Sequence, residues 1–275
     1  MSDIVIVQSG EKAHMDPTQS GFAHGFGLFE TLKLESGRLC FWAKHWQRLL
    51  DSAKILGLRL TVTEDAVLSA ICELVRSDGL RDGTIKLSLV RNGDDTTCYV
   101  YARPSLIVAS AARLKLNQHA PLNESSLLAG HKTHNYMENV LLLESALAAG
   151  FSDVIRLNTA GHLTETAVGN LFFIQGERLH TPALATGILP GVIRAIVIRT
   201  AQSMSLPVEE GNYTPELLDS INAAMVTNSL ISIQPVDTIV TANFERKMSS
   251  AANPIVQDLM DALRLLETEG AVDVG

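Results

Sequence analysis

Lys132 is a candidate nucleophile because of its chemistry and its place in the chain. It lies in the segment AGHKTHNYMEN, directly before an apolar stretch with helical periodicity. A lysine that is removed from water and placed near other cations has a lowered pKa and can attack a carbonyl carbon. Because a lone lysine is more often a solvated surface group, the residue type alone leaves both interpretations open.

Glu165 and the segment around Gly191 are further candidates for polar chemistry. Glu165 follows a turn in HLTETAVGNLFF, where the ordinary interpretation is a solvent-facing carboxylate on a strand. The run PGVI at 190–193 precedes a helix predicted over 194–204. Backbone N–H groups at a helix N-terminus bind anions, and a glycine lets the anion approach closely. An ordinary turn into a helix is the alternative.

Motifs of several other enzyme classes do not occur in the sequence. It lacks G-x-x-x-x-G-K-[ST], H-E-x-x-H and G-x-S-x-G, and the glycine-rich segment GFAHGFGLFE lacks the order G-x-G-x-x-G and a following helix. The histidines at 24, 45, 131, 134, 162 and 180 lack the spacing of metal ligands. We therefore expect no metal site and no dinucleotide site.

Strand and helix patterns predict the elements that must position these residues. Strand patterns occur over 3–7, 28–34, 38–41, 84–90, 106–109, 153–157, 170–174 and 223–227. Helical spacing occurs over 44–56, 64–76, 135–149, 194–204 and 254–267. A turn pattern over 158–161 predicts that 153–157 and 170–174 form a hairpin. Because no regular β-α-β repeat is present, the pattern indicates an α+β or mixed α/β fold.

The secondary-structure pattern weakens over 111–126, where Asn117, Pro121 and Asn123 are typical loop residues. We therefore expect a domain boundary near residue 120. A smaller N-terminal α/β domain would comprise 1–119, and a larger C-terminal domain with Lys132 would comprise 120–275. The length of 275 residues, 46% of them hydrophobic, is ample for one large core or two smaller ones.

The composition argues against several classes of partner. With 22 basic and 30 acidic residues, the formal net charge is −8, which disfavours nucleic-acid binding. The three cysteines show no C-x-x-C spacing, so a reducing compartment is expected rather than a disulfide framework. The start MSDIVIVQSGEK lacks the features of a signal peptide, and polar residues interrupt the apolar stretch 221–236. We expect a cytoplasmic protein without a membrane span.

These segments together resemble the class IV aminotransferases, the fold-type IV enzymes that use pyridoxal 5′-phosphate (PLP). The resemblance extends in order from GFGLFETLKLESGRLCFWAKHWQRL, through the long run from KTHNYMEN to TGILPGVIR, to VTNSLISIQPV, roughly residues 20 to 240. It implies a two-domain fold like that of D-amino-acid aminotransferase and a PLP cofactor. It also implies an amino-acid-like small-molecule substrate and a homodimer.

The resemblance also implies roles for individual residues. Lys132 matches the lysine that holds the cofactor as a Schiff base, Glu165 the carboxylate at the pyridine nitrogen, and Tyr136 the tyrosine at the phenolic oxygen. Three further matches are contacts to the cofactor phosphate: the side chain of Arg48, the backbone of Gly191, Val192 and Ile193, and the pair Asn228 and Ser229. Asn170 matches an asparagine with a structural role. A carboxylate favours the protonated ring nitrogen, which strengthens the cofactor as an electron sink.

Some positions depart from the family pattern. The motifs Asp-Arg-Gly-Phe and Tyr-Gly-Asp-Gly, frequent in the family, are replaced by QSGF at 19–22 and HGFG at 24–27. The threonine that contacts phosphate in branched-chain enzymes is replaced by Ile193, which removes one hydroxyl contact. Many lyases have Gly-Arg-Gly-Tyr where this chain continues from Arg91 into NGDDTTCYVY.

The family performs several reactions, and the resemblance favours a lyase. The segments FETL and TNSLISIQPV resemble the branch that converts 4-amino-4-deoxychorismate into pyruvate and 4-aminobenzoate, a folate precursor. Branched-chain aminotransferases typically have Phe-Glu-Gly-Ile-Arg, whereas D-amino-acid aminotransferases share a lysine at the position of Lys33. An aminotransferase is therefore the alternative. Phe29, Thr31, Lys33 and Arg91 are the candidate substrate contacts. A non-catalytic relative is the third hypothesis, which the joint presence of the proposed cofactor residues disfavours.

Overall fold

The computed structural model describes residues 4–105 and 109–275. The chain separates into two compact units. The first comprises residues 1–107, 131–136 and 267–275, and the second comprises 108–130 and 137–266. The strand predicted over 106–109 falls mostly on residues 106–108, which lie outside the described residues.

Both units contain strands and helices, and several strands follow one another directly in the chain. The strands are β1 (Ile4–Val7), β2 (Gly27–Glu35), β3 (Arg38–Leu39), β4 (Gly83–Asn92), β5 (Asp95–Arg103), β6 (Ala112–Leu122), β7 (Asp153–Asn158), β8 (Leu163–Thr166), β9 (Asn170–Gln175), β10 (Arg178–Pro182), β11 (Val208–Gly211), β12 (Ala223–Asn228), β13 (Ser232–Val240), β14 (Glu245–Lys247) and β15 (Val272–Asp273). The helices are α1 (Ser20–Ala23), α2 (Trp42–Ile55), α3 (Glu64–Ser77), α4 (Met137–Ala148), α5 (Val192–Ser203) and α6 (Pro254–Glu269).

The first unit is a six-stranded sheet covered by α2 and α3, with the strand order β1-β5-β4-β2-β3-β15. Leu28 and Leu32 on β2 join Ile85 and Leu87 on β4 in a buried core with apolar residues of both helices. Because side chains alternate along a strand, Phe29 and the other odd-numbered residues of β2 project to the opposite face. The sheet therefore has one apolar face and one polar face.

The polar face is built from β2, β4 and β5. Thr31 on β2 pairs with Lys86 on β4, which in turn pairs with Tyr101 on β5. The set called the polar face below comprises these three residues and three others, each two positions from one of them: Phe29, Lys33 and Arg103. All six are half-buried or exposed, whereas the residues between them on β2 are buried.

Residues 131–136 belong to the first unit because they pair with the start of β2. Thr133 forms a β-bridge with Leu28, and the N–H of Phe29 donates to the carbonyl of Lys132 at 2.9 Å. The expected division at residue 120 places Lys132 in the C-terminal domain, whereas the units group it with β2. The difference arises because a short segment far along the chain pairs with an early strand.

The second unit is a nine-stranded sheet with the order β11-β10-β9-β12-β13-β6-β7-β8, in which β14 also pairs with β13. Because β8 pairs with β9 as well as with β7, the strands from β9 through β12, β13, β6 and β7 to β8 form a closed ring of pairings. Apolar residues of this ring form the core, with Leu171 and Phe173 on β9 among them. Helix α5 packs against β12.

The predicted helices are confirmed, with ends that shift by a few residues. Helix α2 begins at Trp42, two residues before the predicted start, directly after Phe41 in the left-handed backbone region. Helix α4 begins only at Met137, because the preceding residues are held against β2. Among the described residues, no helix is both long and apolar enough to cross a membrane.

Two strand predictions for the second unit are wrong. The weakly patterned segment 111–126 contains strand β6, which pairs with β7 and β13. The strands 153–157 and 170–174 do not form a hairpin, because β8 lies between β7 and β9 and pairs with both. Glu165 therefore belongs to a paired strand of its own.

Candidate active site

The amine of Lys132 lies against two aromatic rings in the first unit. Its Nζ is 4.2 Å from the centroid of the Phe29 ring and 5.2 Å from that of Tyr136. The two rings meet edge to face, with centroids 5.2 Å apart. A cation over an aromatic face is stabilised by the ring quadrupole. The structure thus brings the predicted nucleophile together with two other predicted site residues, in a half-buried setting.

Lys86 is a second cation on the same ring, and it is not among the residues predicted from sequence. Its Nζ is 4.4 Å from the Phe29 centroid and donates a hydrogen bond to Oγ1 of Thr31 at 2.8 Å. Burial lowers the pKa of Lys86 to about 8, with a further contribution from Arg103 that Glu30 opposes. The sequence pattern that indicates Lys86 is a strand segment, TIKLSLV, in which this lysine is the one charged residue.

Arg48 is held by Glu30, a buried carboxylate of β2. Its Nε donates to Oε1 of Glu30 and its Nη2 to Oε2, both at 2.7 Å. Nδ1 of His45 lies 2.7 Å from the same Oε2. Burial raises the pKa of Glu30, but Arg48 and His45 together lower it by more than burial raises it. The pKa of Glu30 therefore lies well below its usual range. Glu30 is therefore an ionised carboxylate inside the first unit.

The four predicted substrate residues lie in three different settings. Phe29 and Thr31 lie with Lys86, as described above. Lys33 instead pairs with Glu35 at 3.1 Å and with Glu267 at 3.3 Å. The guanidinium of Arg91 lies 4.7 Å from the Phe26 ring, and its Nε donates to the carbonyl of Gly93 at 3.1 Å.

Glu165 is fixed within the second unit by two hydrogen bonds. Its Oε2 accepts from the backbone N–H of Leu189 and from Nδ2 of Asn170, both at 3.1 Å. The same Asn170 amide donates to the carbonyl of Leu189 at 3.0 Å. Asn170 thus ties the carboxylate on β8 to the turn before α5, which gives a physical basis for its predicted structural role.

The N-terminus of α5 is a suitable place for an anion. Gly191 caps the helix, no side chain caps it, and the first N–H groups of a helix lack partners within the helix. A Cβ atom at Gly191 would lie 1.9 Å from Oδ1 of Asn170, so a larger residue would displace that side chain. The side chains of Val192 and Ile193 are buried, which leaves their backbone as the group available to a ligand.

Asn228 is the last residue of β12 in the same unit, and Ser229 directly follows it. Oδ1 of Asn228 accepts from the N–H groups of Leu230 and Ile231 at 2.9 and 3.0 Å, and its Nδ2 donates to the carbonyl of Val168 at 3.2 Å. The Asn228 side chain therefore shapes the turn in which Ser229 lies.

These groups fit the chemical parts of PLP. The first unit provides a lysine amine for an aldehyde and an arginine for a phosphate. The second unit provides a fixed carboxylate that suits a pyridinium nitrogen. It also provides the N-terminus of α5, which suits a phosphate and is preceded by a glycine where a Cβ would clash. Among the described residues, no cluster of three or more His, Cys, Asp or Glu side chains could hold a metal ion.

Comparisons with known proteins give a consistent result. The family model described as "Amino-transferase class IV" matches residues 27–239. The aminodeoxychorismate lyase of Bacillus subtilis is 26% identical, with 88% of this chain and 87% of that protein covered. A Methanocaldococcus jannaschii protein, provisionally named a branched-chain-amino-acid aminotransferase, is 27% identical, with 78% and 79% covered.

A solved structure from Legionella pneumophila, provisionally named a 4-amino-4-deoxychorismate lyase, superposes with a TM-score of 0.87. It is 28% identical, and the match covers 96% of this chain and all of that one. The fold is thus that of the fold-type IV enzymes. Because the family model spans most of the chain and the residues present suit the cofactor, this protein belongs to the class IV aminotransferase family of PLP-dependent enzymes.

Proposed function

We propose that this enzyme is a lyase that converts 4-amino-4-deoxychorismate into 4-aminobenzoate and pyruvate. The observation that supports it most is the pair of amines on one ring, Lys132 and Lys86 against Phe29. One amine is assigned to the cofactor, and the other is a cation within the same cluster that can hold a substrate carboxylate. The Bacillus subtilis and Legionella relatives carry the corresponding lyase names.

In this proposal, Lys132 attaches the cofactor and then moves the proton at the substrate Cα. Glu165 keeps a proton on the pyridine nitrogen, and Tyr136 donates a hydrogen bond to the phenolic oxygen. When bound, PLP supplies the electron sink for the broken Cα–H bond. The bond between the ring carbon and the oxygen of the enolpyruvyl group would then break, the released enolpyruvate would take up a proton to become pyruvate, and loss of the Cα proton together with this group would leave the ring aromatic.

The phosphate is assigned to the remaining predicted residues. Arg48 would provide a charged fork and the backbone of residues 191–193 a helix N-terminus, both of which suit a dianion. The turn that contains Asn228 and Ser229 would add a further contact. Ile193 lacks the hydroxyl found in branched-chain enzymes, so the backbone contribution is the larger one here.

The polar face favours a substrate with more than one carboxylate. Lys86 and Arg103 lie on neighbouring strands, and the Arg103 guanidinium lies 5.8 Å from the Tyr101 ring. The substrate 4-amino-4-deoxychorismate has a carboxylate on its ring and another on its enolpyruvyl group, so it can use both cations. A branched-chain amino acid has one carboxylate and an apolar side chain, which suits this face less well.

A product assay tests the proposed reaction. We expect purified enzyme to form 4-aminobenzoate and pyruvate in equal amounts from 4-amino-4-deoxychorismate, measured by chromatography and by a coupled lactate dehydrogenase assay. Transamination is the competing activity, because the Methanocaldococcus relative is equally similar. Branched-chain and D-amino acids should therefore be tested with 2-oxoglutarate. Turnover in the transamination assay alone would overturn the lyase proposal. No turnover in either assay, together with no absorption band of bound cofactor after PLP is added, would favour a non-catalytic protein.

We also propose a homodimer that uses the exposed side of α4. This helix has four exposed large apolar residues: Met137 at 75%, Val140 at 44%, Leu141 at 58% and Leu147 at 56%. Leu127, in the loop before α4, is 88% exposed. Apolar surface of this kind marks an interaction site.

A cytoplasmic location is proposed as well, because the three cysteines are free thiols.

Replacing Leu141 with glutamate should convert the dimer into a monomer, because an unpaired carboxylate would be buried in the interface. Size-exclusion chromatography with light scattering measures the mass directly. Leu265→Glu is the matched control, since Leu265 is 67% exposed on a different helix. A wild-type protein that is monomeric at assay concentrations would contradict the dimer, and a dimeric Leu141→Glu variant would contradict the assigned surface.

A further inference from the structure

We propose that Glu30 is a positioning residue that fixes the guanidinium of Arg48 in the direction required for the cofactor phosphate. The proposal rests on the phosphate role assigned to Arg48 above and adds a residue that the family resemblance did not bring forward. Glu30 lies on β2, and Arg48 and His45 lie three positions apart on α2. Their contacts all lie within the first unit.

The geometry leaves Arg48 little rotational freedom. Glu30 binds the Nε and Nη2 edge of the guanidinium through both carboxylate oxygens, each at 2.7 Å. A planar fork held at two points has one orientation, and a preorganised guanidinium loses less freedom when it binds an anion. Arg48 retains 11% side-chain exposure, whereas Glu30 is 1% exposed. The carboxylate is therefore a buried anchor, and the arginine is the more accessible member.

His45 in turn anchors Glu30. Burial lowers the pKa of His45, with further contributions from Arg48 and Lys132, although Glu30 opposes the shift. The imidazole is thus neutral at pH 7. Because an ionised carboxylate only accepts hydrogen bonds, the proton of the neutral ring lies on Nδ1 and is donated to Glu30.

The charges of Glu30, Arg48 and His45 explain why the orientation of the Arg48 guanidinium matters for phosphate binding. An ionised Glu30, a charged Arg48 and a neutral His45 together have no net charge. Such a cluster does not attract a phosphate by charge alone, so affinity depends on donors that are already aimed at it. Fully buried glutamates are rare unless they are paired, which agrees with a dedicated role for Glu30.

Glu30→Asp is the most informative variant because it keeps the charge and shortens the reach by one methylene. The Kd should be measured for PLP and for pyridoxal, which lacks the phosphate, by titration of the apoenzyme. We expect the Kd for PLP to rise about tenfold, the value of one charged hydrogen bond, with the Kd for pyridoxal unchanged. A general packing defect would weaken both ligands.

Variants of His45 and Arg48 complete the experiment. His45→Asn keeps a donor near the Nδ1 position and should retain the preference for PLP, whereas His45→Leu should reduce it. If circular dichroism shows that Glu30→Asp does not fold, His45→Leu decides the result. Wild-type Kd values for PLP in folded Glu30→Asp and His45→Leu would overturn the positioning role. If Arg48→Gln itself leaves the preference for PLP intact, the phosphate assignment of Arg48 fails instead.

Discussion

Replacing Lys132 with alanine is expected to abolish the visible absorption of the lysine-bound cofactor and to lower turnover by at least about a thousandfold. The variant loses both the amine that attaches PLP and the group that moves the Cα proton. Lys86 is close to the same ring, but it is hydrogen-bonded to Thr31. The measurements are an absorption spectrum after incubation with PLP and kcat in the product assay.

Lys54→Ala is the control for this prediction, because Lys54 is an exposed lysine in α2. It should leave the spectrum and kcat at wild-type values. A Lys132→Ala protein with substantial turnover would show that another amine performs the chemistry, and Lys86→Met in the same background would then identify Lys86 as that amine or exclude it.

Replacing Glu165 with glutamine should preserve much of the cofactor binding but lower kcat by roughly a hundredfold, the usual effect of losing one preorganised electrostatic contact in an active site. Glutamine retains an oxygen that can accept from the N–H of Leu189, so the local turn should persist. It lacks the negative charge that favours a protonated pyridine nitrogen. Steady-state kinetics and a cofactor content determined after denaturation separate the two effects.

Glu177→Gln provides the comparison, since Glu177 is exposed in the turn between β9 and β10. This variant should match the wild type in both measurements. An unchanged kcat for Glu165→Gln, with full cofactor content, would argue against a role for Glu165 at the ring nitrogen. Loss of the cofactor altogether would instead indicate that the carboxylate is needed mainly for binding.

Local patterns were enough to predict most helices. Helix α2 was predictable because Trp46, Leu49 and Ala53 recur on one face, and that face is buried against the sheet. Helix α5 was predictable because PGVI precedes a regular apolar pattern. These elements depend on residues that are near one another in the chain, so periodicity alone identifies them.

Features that depend on distant pairing could not be predicted in the same way. In β6, Leu114 and Leu116 are buried, but the strand also contains Asn117 and Pro121, residue types that are typical of loops, and it is stabilised by pairing with β7 and β13. Lys132 was identified by resemblance. Its attachment to β2 is a contact with Phe29, a residue that is far from it in the chain. Such contacts depend on three-dimensional packing, and a single sequence does not encode them as a local pattern.

The candidate site shows the same division. Lys132, Tyr136 and Phe29 were expected to share a site, and the structure places their side chains together. Lys86 and Glu30 were not expected, because an isolated charged residue in a strand has no fixed environment until neighbouring strands and helices are known. Their partners, Thr31 and Arg48, lie on other elements.

Reductive trapping of the cofactor tests the assignment of Lys132 most directly. The protein should be loaded with PLP, treated with borohydride to make the link to lysine permanent, digested and analysed by mass spectrometry. We expect a single pyridoxyl-phosphate modification on the peptide that contains Lys132. A modification on Lys86 or on any other lysine, or a protein that remains unmodified, would contradict the proposed site.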